Sequence, residues 1–243
     1  MPDGAAVTIL PRQGCDTTAV TTISVLNREM FSEAEAARLL QVSQSTLNYW
    51  LEGGKRRGKT YRPVIRVEPR GERAPVTWAE FVEAGLLRAY RRHVPMAELR
   101  AFIDRLRNEY AIPYPLADRR PFVADRQLLH DAQNAANLGV EFCLVAEVRG
   151  QFVLTPPSAD FFHRVTWKGD DAVAWRPHDV PEFPVRIDPD LRFGRPTVRG
   201  ISTETIWEHL DGGESEDEIA EAFGLSPADV GWALSYELPL RSA

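Results

Sequence analysis

The sequence predicts a mainly α-helical protein with minor β structure (α+β class). We expect an N-terminal winged helix-turn-helix, a small central α/β module and a C-terminal three-helix domain of helix-turn-helix-like outline. Serine and threonine N-caps stand ahead of several apolar repeats of helical spacing. Prolines cluster twice, which marks two boundaries. Charge is segregated along the 243 residues, a length that suits two or three modest domains.

Residues 1–27 are predicted to be a flexible tail. The short apolar stretch 7–10 is broken at once by Pro11 and Arg12, so it does not form the charged-then-apolar leader of a secreted protein. No apolar run of the sequence approaches the roughly 18 residues that a membrane-spanning helix needs. Cys15 and Cys143 are too few for a disulfide framework or a zinc site. These features predict a cytoplasmic protein without a membrane span.

Residues 28–113 are predicted to form the winged helix-turn-helix. Ser32 followed by Glu35 has the pattern of a capping box, and Ser43 can cap a second helix that ends at Gly53 and Gly54. The alanines of the first helix allow the second helix to cross it closely, as in a helix-turn-helix.

A short two-stranded wing is expected next, between Gly58 and Gly71. The strand-forming residues of this interval are Tyr61, Val64, Ile65 and Val67. Thr77 and Glu80 then repeat the capping-box pattern, which predicts another helix.

A further helix carries a narrow apolar seam. Its members follow one another at spacings of three and four: Met96, Leu99, Ile103, Leu106 and Tyr110. The seam can pack inside the domain or against a second copy of the chain, and the sequence favours the internal packing.

A small mixed α/β module is predicted over residues 118–176, after a proline-rich boundary at 113–121. We expect a helix over 127–138 and strands over 142–148 and 152–154. Strand character continues over 161–167 and 172–175.

The C-terminal domain is predicted over residues 185–243. It begins with a loop rich in glycine and arginine, Gly194-Arg195-Pro196-Thr197-Val198-Arg199-Gly200, and continues as three short helices. Ser215 with Glu218 and Ser226 with Asp229 supply caps for the second and third helices.

Charge divides the chain into a part that suits polyanions and a part that repels them. The interval Gly53–Arg73 contains eight cations and two anions, whereas Thr203–Leu238 contains ten anions and no Lys or Arg. Because salt screens charges beyond about 8 Å, the local balance matters more than the net charge of −6. The cationic interval follows a helix-turn-helix, so we predict that these residues contact DNA: Gln44, Ser45, Asn48, Tyr49, Lys55, Arg56, Arg57, Lys59 and Arg62.

The segment Ser43-Gln44-Ser45-Thr46-Leu47-Asn48-Tyr49-Trp50, followed by glycines, basic residues and two more helices, resembles the MerR-type winged helix-turn-helix. The resemblance covers about residues 30–110 and implies binding to double-stranded promoter DNA. An arginine commonly stands in that family where this chain has Asn48.

The C-terminal part resembles a small domain long described as of unknown function. The resemblance rests on the Gly194–Gly200 loop, on the preceding Ile187-Asp188-Pro189 and on the final helices. Proteins with this domain are similar to VapB-type antitoxins, and the whole chain looks like a mycobacterial VapB-like antitoxin. This resemblance implies a PIN-domain (VapC-like) ribonuclease toxin as partner.

The acidic C-terminal domain is predicted to serve dimerisation or toxin binding and not DNA binding, since carboxylates repel phosphates. Trp232 and Tyr236 are candidate anchors for a partner, whereas Trp207 is more suited to the core. Arg192, Arg195 and Arg199 either insert into the carboxylate cluster of the nuclease or tie the loop to Asp188 and Asp190, and the sequence favours the second reading.

The five histidines are scattered, and the sequence has no HExxH, phosphate-binding glycine loop or nucleophile elbow. We therefore predict no catalysis, no cofactor and no metal. The predicted function is a DNA-binding, homodimeric antitoxin that neutralises a ribonuclease toxin by direct binding. A dimer follows because operators commonly offer two half-sites. The alternative is a stand-alone MerR-like regulator whose central module senses a small ligand.

Overall fold

The computed structural model describes residues 24–241, except for 57, 72, 91–95, 124–125, 137–144, 149–150, 155 and 179. Most of the predicted tail, residues 1–23, lies outside the described residues. Its last part is ordered, because Val25–Asn27 forms a 3₁₀ turn capped by Ser24, and Val25 and Leu26 pack against the core. The prediction of a flexible tail is therefore wrong for residues 25–27.

Serine caps set the beginnings of the first two helices, α1 (Glu33–Leu39) and α2 (Gln44–Glu52). The Oγ of Ser32 accepts a hydrogen bond from the Glu35 N–H at 3.2 Å, and the Oγ of Ser43 accepts one from the Thr46 N–H at 3.3 Å. The two helices bury an apolar face that includes Leu39 and Trp50. The predicted pair of helices is confirmed.

A two-stranded hairpin follows α2 directly, formed by β2 (Gly54–Arg56) and β3 (Lys59–Tyr61). Arg56 pairs with Lys59 across it. The prediction placed strand residues as far as Val67, and that placement is wrong. Val64 and Ile65 lie in a bend in the core, where both backbone N–H groups donate to the carbonyl of Trp50, at 2.8 and 3.0 Å.

Two further helices pack against α1 and α2 in a shared core. Strand β1 (Glu29–Phe31) pairs with β4 (Val76–Thr77), which leads into α3 (Trp78–Tyr90), and α4 (Met96–Tyr110) comes next. The Thr77–Glu80 capping box is present in both directions, at 2.9 and 3.3 Å. Leu99, Ile103 and Leu106 of the apolar seam are buried inside the chain, as the sequence favoured.

The central segment consists of short helices and two hairpins. Its elements are α5 (Arg120–Val123), α6 (Arg126–Ala135), β5 (Val145–Val148), β6 (Gln151–Leu154), α7 (Pro156–Arg164), β7 (Val165–Lys168) and β8 (Asp171–Trp175). The strand expected over 161–167 is wrong in its first half, since 161–164 ends α7. A proline at the first helical position favours this helix, and Phe161 and Phe162 both pack on Phe122, at 5.9 Å between ring centroids.

One hydrophobic core extends from Phe31 to Ile187 and includes residues on both sides of the predicted boundary at 113–118. The indole N–H of Trp78 donates to the Ala172 carbonyl at 2.6 Å, and the rings of Phe81 and Trp175 meet edge to face at 5.4 Å. The division into an N-terminal domain (28–113) and a central module (118–176) stays a prediction.

The C-terminal segment has its own core, to which Phe183, Ile206 and Val230 contribute. Its elements are β9 (Thr197–Val198), β10 (Ile201–Ser202), α8 (Thr203–Asp211), α9 (Glu216–Phe223) and α10 (Pro227–Arg241). The predicted mainly α class with minor β structure is confirmed, and the described strands pair as two-stranded antiparallel sheets.

Candidate functional site

Helix α2 presents a short polar stripe on its outer face. Gln44 and Ser45 are exposed at its first turn, and Asn48 and Tyr49 follow one turn later. The side-chain amide of Asn48 donates to the Glu33 carboxylate of α1 at 3.0 Å, and this hydrogen bond orients the amide. The stripe thus combines exposed polar groups at the amino end, where the Ser45 Oγ lies 3.3 Å from the Ser43 Oγ, with the amide of Asn48 held by Glu33.

The β2–β3 hairpin lies beside this stripe and carries exposed cations on both faces. Arg56 and Lys59 occupy one face, because they pair directly, while Lys55 alternates to the other. Arg62 is exposed just after the hairpin. Arg57, also predicted to contact DNA, lies outside the described residues.

Tyr49 joins the helix to the hairpin. The guanidinium of Arg56 stacks over its ring, 4.1 Å from the centroid, and the Tyr61 ring meets it edge-on at 6.4 Å. Arg100, on α4, donates to the Arg62 carbonyl at 2.9 Å and reaches the Tyr49 hydroxyl at 3.5 Å. The hairpin is therefore held in place relative to α2 by aromatic and guanidinium contacts.

The cationic interval does not face solvent as a whole. Arg66 is buried, with its side chain 2% exposed, and its guanidinium pairs with Glu80 at 2.9 Å and with Glu52 of α2. Arg70 bonds to Glu80 at 3.2 Å. Burial alone would lower the pKa of Arg66. The carboxylates of Glu80 and Glu52 raise this pKa by more than burial lowers it, so Arg66 stays charged. Arg66 is therefore not available to a polyanion, whereas Arg70 is partly exposed but already bonded to carboxylates of the chain.

The arginine loop, which we define as residues 187–200, owes its shape to left-handed backbone positions. Arg199 and Gly200, with φ of 47° and 83°, form the turn between β9 and β10, where both central residues need positive φ. Gly194 has a φ of 74°, and a Cβ there would lie 2.8 Å from the Met30 side chain and 3.0 Å from Phe31. The loop therefore packs closely on β1.

Two loop arginines form ion pairs within the C-terminal segment. Arg195 pairs with Glu204 at 2.9 Å, and Arg199 pairs with Asp229 at 2.8 Å. Burial tends to raise the pKa of Asp229, but hydrogen bonds from Ser226 and Arg199 outweigh it and lower this pKa.

The partners expected for these arginines, Asp188 and Asp190, are wrong. The Asp188 carboxylate accepts the Asp190 N–H at 2.7 Å, and the Asp190 side chain pairs with Arg28 at 2.6 Å. These two aspartates of the loop thus serve its own turn and a contact to the segment before β1.

A cleft of about 610 Å³ opens beside the arginine loop. Its walls come from β1, α1, β10, α8, α9 and the loop itself, and its apolar lining includes Met30, Ile201 and Phe223. Phe193 stands at its rim, 90% exposed.

Residues 185–236 match the family model described as "Protein of unknown function (DUF433)". The chain is 32% identical to "Uncharacterized protein Rv2308" of Mycobacterium tuberculosis over 92% of this chain and 96% of that protein. This chain belongs to the Rv2308 family.

Further likenesses extend over most of the chain. It is 24% identical to the Mycobacterium tuberculosis protein named "Putative antitoxin VapB45", over 84% of this chain and 92% of that protein. The X-ray crystal structure of Rv2018 from Mycobacterium tuberculosis superposes with a TM-score of 0.68 at 23% identity, covering 86% of this chain and 99% of that one. The second likeness shows that the fold is shared. The family model over residues 185–236 confirms the C-terminal resemblance recognised from the sequence, and one relative of this chain is named as a putative antitoxin.

Among the predicted partner-binding residues of this Rv2308-family chain, exposure differs widely. Trp232 is 36% exposed and meets Phe183 edge-on at 5.3 Å. Tyr236 is buried in the C-terminal core, where burial raises the pKa of its hydroxyl, so it does not present an anchor on the surface. Trp207 is partly covered by Arg241, whose guanidinium lies 5.2 Å from the indole.

Two residues of the site were missed from the sequence. Arg100 lies far along the chain from the hairpin, which ends at Tyr61, and outside the cationic interval, so no local pattern connects it with Tyr49. Phe193 directly precedes the Gly194–Gly200 motif and was not singled out, because the sequence pattern does not show that its ring is exposed.

In the described part of the chain, no helix has the length and apolar character to cross a membrane. The same residues contain no group of three or more His, Cys, Asp or Glu side chains arranged to hold a metal ion.

Proposed function

We propose that this protein is a DNA-binding antitoxin that acts as a homodimer. Helix α2 and the β2–β3 hairpin bind promoter DNA, and the C-terminal domain binds and inhibits a PIN-domain (VapC-like) ribonuclease toxin. The name of the relative at 24% identity supports the antitoxin role. The observation that carries the DNA-binding role is the juxtaposition of an exposed polar helix stripe with exposed hairpin cations.

The residues of this surface divide by chemistry into two groups. Lys55, Lys59 and Arg62 are exposed and suited to phosphates, which set affinity and register without reading sequence. Gln44 is exposed at the amino end of α2, where the side chains of a recognition helix meet base edges. Arg56 has a mixed role, because its contact with Tyr49 also positions the hairpin.

The phosphate contacts are tested by the salt dependence of binding to the promoter of the protein's own gene. Each contact contributes about 0.9 to the slope of log K against log salt. The double variant Lys55→Ala/Lys59→Ala removes two contacts per protomer, so its slope should be shallower by about 3 to 4 for a dimer. Lys168→Ala is the matched control, since Lys168 is an exposed lysine on the β7–β8 hairpin. Equal slopes for the double variant and the wild type would exclude the hairpin from the DNA interface.

Base reading is tested separately with Gln44→Ala. Loss of a good amide–adenine contact costs about 1–3 kcal/mol of discrimination, so preference for the promoter over a scrambled duplex should fall about tenfold or more. The salt slope should stay unchanged, because Gln44 carries no charge. A variant that loses affinity equally for both duplexes would assign Gln44 to general binding and not to sequence reading.

Toxin inhibition is assigned to the exposed guanidiniums of the arginine loop. The side chains of Arg195 and Arg199 are 57% and 70% exposed, and each holds one carboxylate of its own chain. A guanidinium suits bidentate pairing with carboxylates, which are the metal ligands of PIN-type nucleases. We propose that these arginines exchange their own partners for nuclease carboxylates, with Trp232 packing nearby.

Inhibition is tested with a nuclease encoded next to this protein. The variant Arg195→Ala/Arg199→Ala should fail to inhibit RNA cleavage at stoichiometric concentration, whereas Arg105→Ala, an exposed arginine of α4, should inhibit fully. Circular dichroism confirms that both variants remain folded. Full inhibition by the double variant would remove the arginine mechanism, and a lack of any complex with the wild type would remove the antitoxin role.

A further inference from the structure

Phe193 combines two features that each cost free energy in an isolated chain: an exposed apolar side chain and a left-handed backbone conformation. Its side chain is 90% exposed, and its backbone has a φ of 56°, next to Arg192 with a φ of 47°. Residues with a Cβ seldom adopt this left-handed region. The fold thus holds a large apolar ring in solvent at a conformational cost.

The backbone on both sides of Phe193 is anchored, so the ring is presented rigidly. The Gly194 N–H donates to the Leu191 carbonyl at 2.9 Å, and Gly194 packs against β1. The Nε of Arg192 donates to the Gly200 carbonyl at 3.2 Å across the loop. An exposed and rigid aromatic residue is typical of an interface anchor.

A suitable receptor lies on the same surface. The cleft beside Phe193 has a volume of about 610 Å³ and a mixed lining, in which Met30, Ile201 and Phe223 supply the apolar part. A projecting ring next to a cleft with an apolar part can be self-complementary under a twofold rotation, since each ring can enter the cleft of the other copy.

The charges of this patch are self-complementary as well. Glu35 and Arg192 both line the cleft, and neither side chain forms an ion pair within the described residues, not even with each other. Arg195, by contrast, is already neutralised by Glu204. Under the same rotation Arg192 of one copy meets Glu35 of the partner, which gives two symmetric ion pairs around the buried rings.

We propose that a second copy of this chain docks on this patch, with Phe193 of each protomer inserted into the cleft of its partner and Arg192 paired with Glu35 across the twofold axis. The homodimer is part of the proposed function, and this inference supplies its surface. The apolar seam of α4 is not available for the purpose, because Leu99, Ile103 and Leu106 are buried within the chain. Arg192 then serves the dimer and not the toxin.

The patch suits a protein and not a nucleic acid. A phosphate backbone would meet the carboxylate of Glu35 in the cleft and that of Glu204 beside the loop. A protein that inserts an apolar wedge into the minor groove uses several Arg or Lys side chains beside it, whereas two of the three arginines of this loop, Arg195 and Arg199, already hold carboxylates of their own chain.

The test measures the mass of the full chain in solution by sedimentation velocity, without DNA or toxin. The wild type should be a dimer, and Phe193→Ser should raise its dissociation constant about a hundredfold or more, because two rings lose their burial. Val67→Ser is the matched control, since Val67 is another exposed apolar residue, 59% exposed, and should leave the mass unchanged. Circular dichroism establishes that each variant is folded.

A charge exchange provides a second measurement. Arg192→Glu and Glu35→Arg should each weaken the dimer, and the double variant Glu35→Arg/Arg192→Glu should restore it, which a change in folding alone would not do. A monomeric wild type, or a dimer that Phe193→Ser leaves intact, would overturn the proposal. So would a variant that keeps its dimer mass but loses toxin or DNA binding, because Phe193 would then belong to a different partner. A wild-type dimer that responds to these variants but binds no promoter would support this interface and refute the DNA-binding proposal alone.

Discussion

Glu83 of α3 predicts a pH dependence of stability that can be measured directly. The carboxyl group is fully buried; one oxygen accepts the Leu116 N–H at 2.9 Å, and the other accepts no hydrogen bond. Burial, with the nearby charge of Glu80, raises the pKa of Glu83 from 4.5 to about 7, although Arg107 and the Leu116 N–H lower it in part. The closest nitrogen of Arg107 is 3.8 Å from the unbonded oxygen.

The sign of the effect follows from proton binding. Between pH 4.5 and 7 the folded chain keeps a proton on Glu83 that the unfolded chain has lost, so the free energy of unfolding falls as pH rises. A rise in pKa from 4.5 to about 7 corresponds to a loss of about 3 kcal/mol, complete above pH 7. For a protein with a typical free energy of unfolding of about 5–15 kcal/mol, this is a large fraction.

The variant Glu83→Gln should lack this dependence. Urea denaturation at pH 5 and pH 8 should show that the wild type loses about 2 to 3 kcal/mol relative to the variant between these two values. Any fixed cost of the amide is the same at both pH values and cancels in this difference. Arg107 stays satisfied in the variant, because it also donates to the carbonyls of Pro113 and Val64, at 2.8 and 3.1 Å.

Glu109→Gln is the control for this measurement, since Glu109 is an exposed glutamate of α4 and its replacement should leave the pH dependence of the wild type intact. Parallel curves for the wild type and Glu83→Gln would show that Glu83 is ionised in the folded chain, and the reasoning from burial would be refuted.

Three further substitutions test the packing around the site by urea denaturation. Arg66→Met should cost about 3–5 kcal/mol, because it leaves the carboxylates of Glu80 and Glu52 without their buried partner; a cost below 1 kcal/mol would mean that they are solvated. Gly194→Ala should destabilise the chain by about 1–3 kcal/mol more than Gly200→Ala. Gly194 and Gly200 both have positive φ, but only a Cβ at position 194 would meet neighbours within 4 Å. Equal losses of stability in the two variants would show that the loop moves away from β1 to accommodate the added methyl group.

Local sequence signals predicted the helices well where a cap defines the first turn. Ser32, Ser43 and Ser215 each cap the helix that the sequence assigned to them, and Ser215 forms the full box with Glu218. Capping uses residues three apart, so the sequence contains all the information needed.

The hairpin was displaced because strand propensity was given too much weight. Val64 and Ile65 favour strands, yet they fill the core beneath α2 and bond to Trp50. The residues that do form the hairpin are charged and exposed, with a glycine at its turn. An exposed hairpin depends on its turn residues and strand register more than on apolar side chains. The strand propensity of its residues is therefore a weak signal of where it lies.

The candidate interface could be predicted only in part, since a run of charges does not reveal which members are paired. Lys55 and Lys59 are exposed as the run suggests, but Arg66 is buried against Glu80 and the partly exposed Arg70 also bonds to Glu80, which lies in the first turn of α3, beyond the run. That pairing depends on the tertiary packing of α3 against the helix pair. Fewer than the eight cations of this interval are therefore available for the proposed DNA contact, and those that are available are concentrated on the hairpin.

The two helical regions at the ends of the described chain have a similar outline but opposite electrostatics. Exposed carboxylates cover the helices of the C-terminal segment: Glu208, Asp211, Glu216, Asp217 and Glu221. Three nearby cations, Arg195, Arg199 and Arg241, are already paired with Glu204, Asp229 and Glu237. Phosphates approaching within a Debye length of about 8 Å would meet net negative charge, whatever the shape of the helices. Shape alone would favour DNA binding by both regions, whereas charge supports the proposed DNA binding only for the first and leaves the arginine loop and Trp232 of the second for the proposed protein partners.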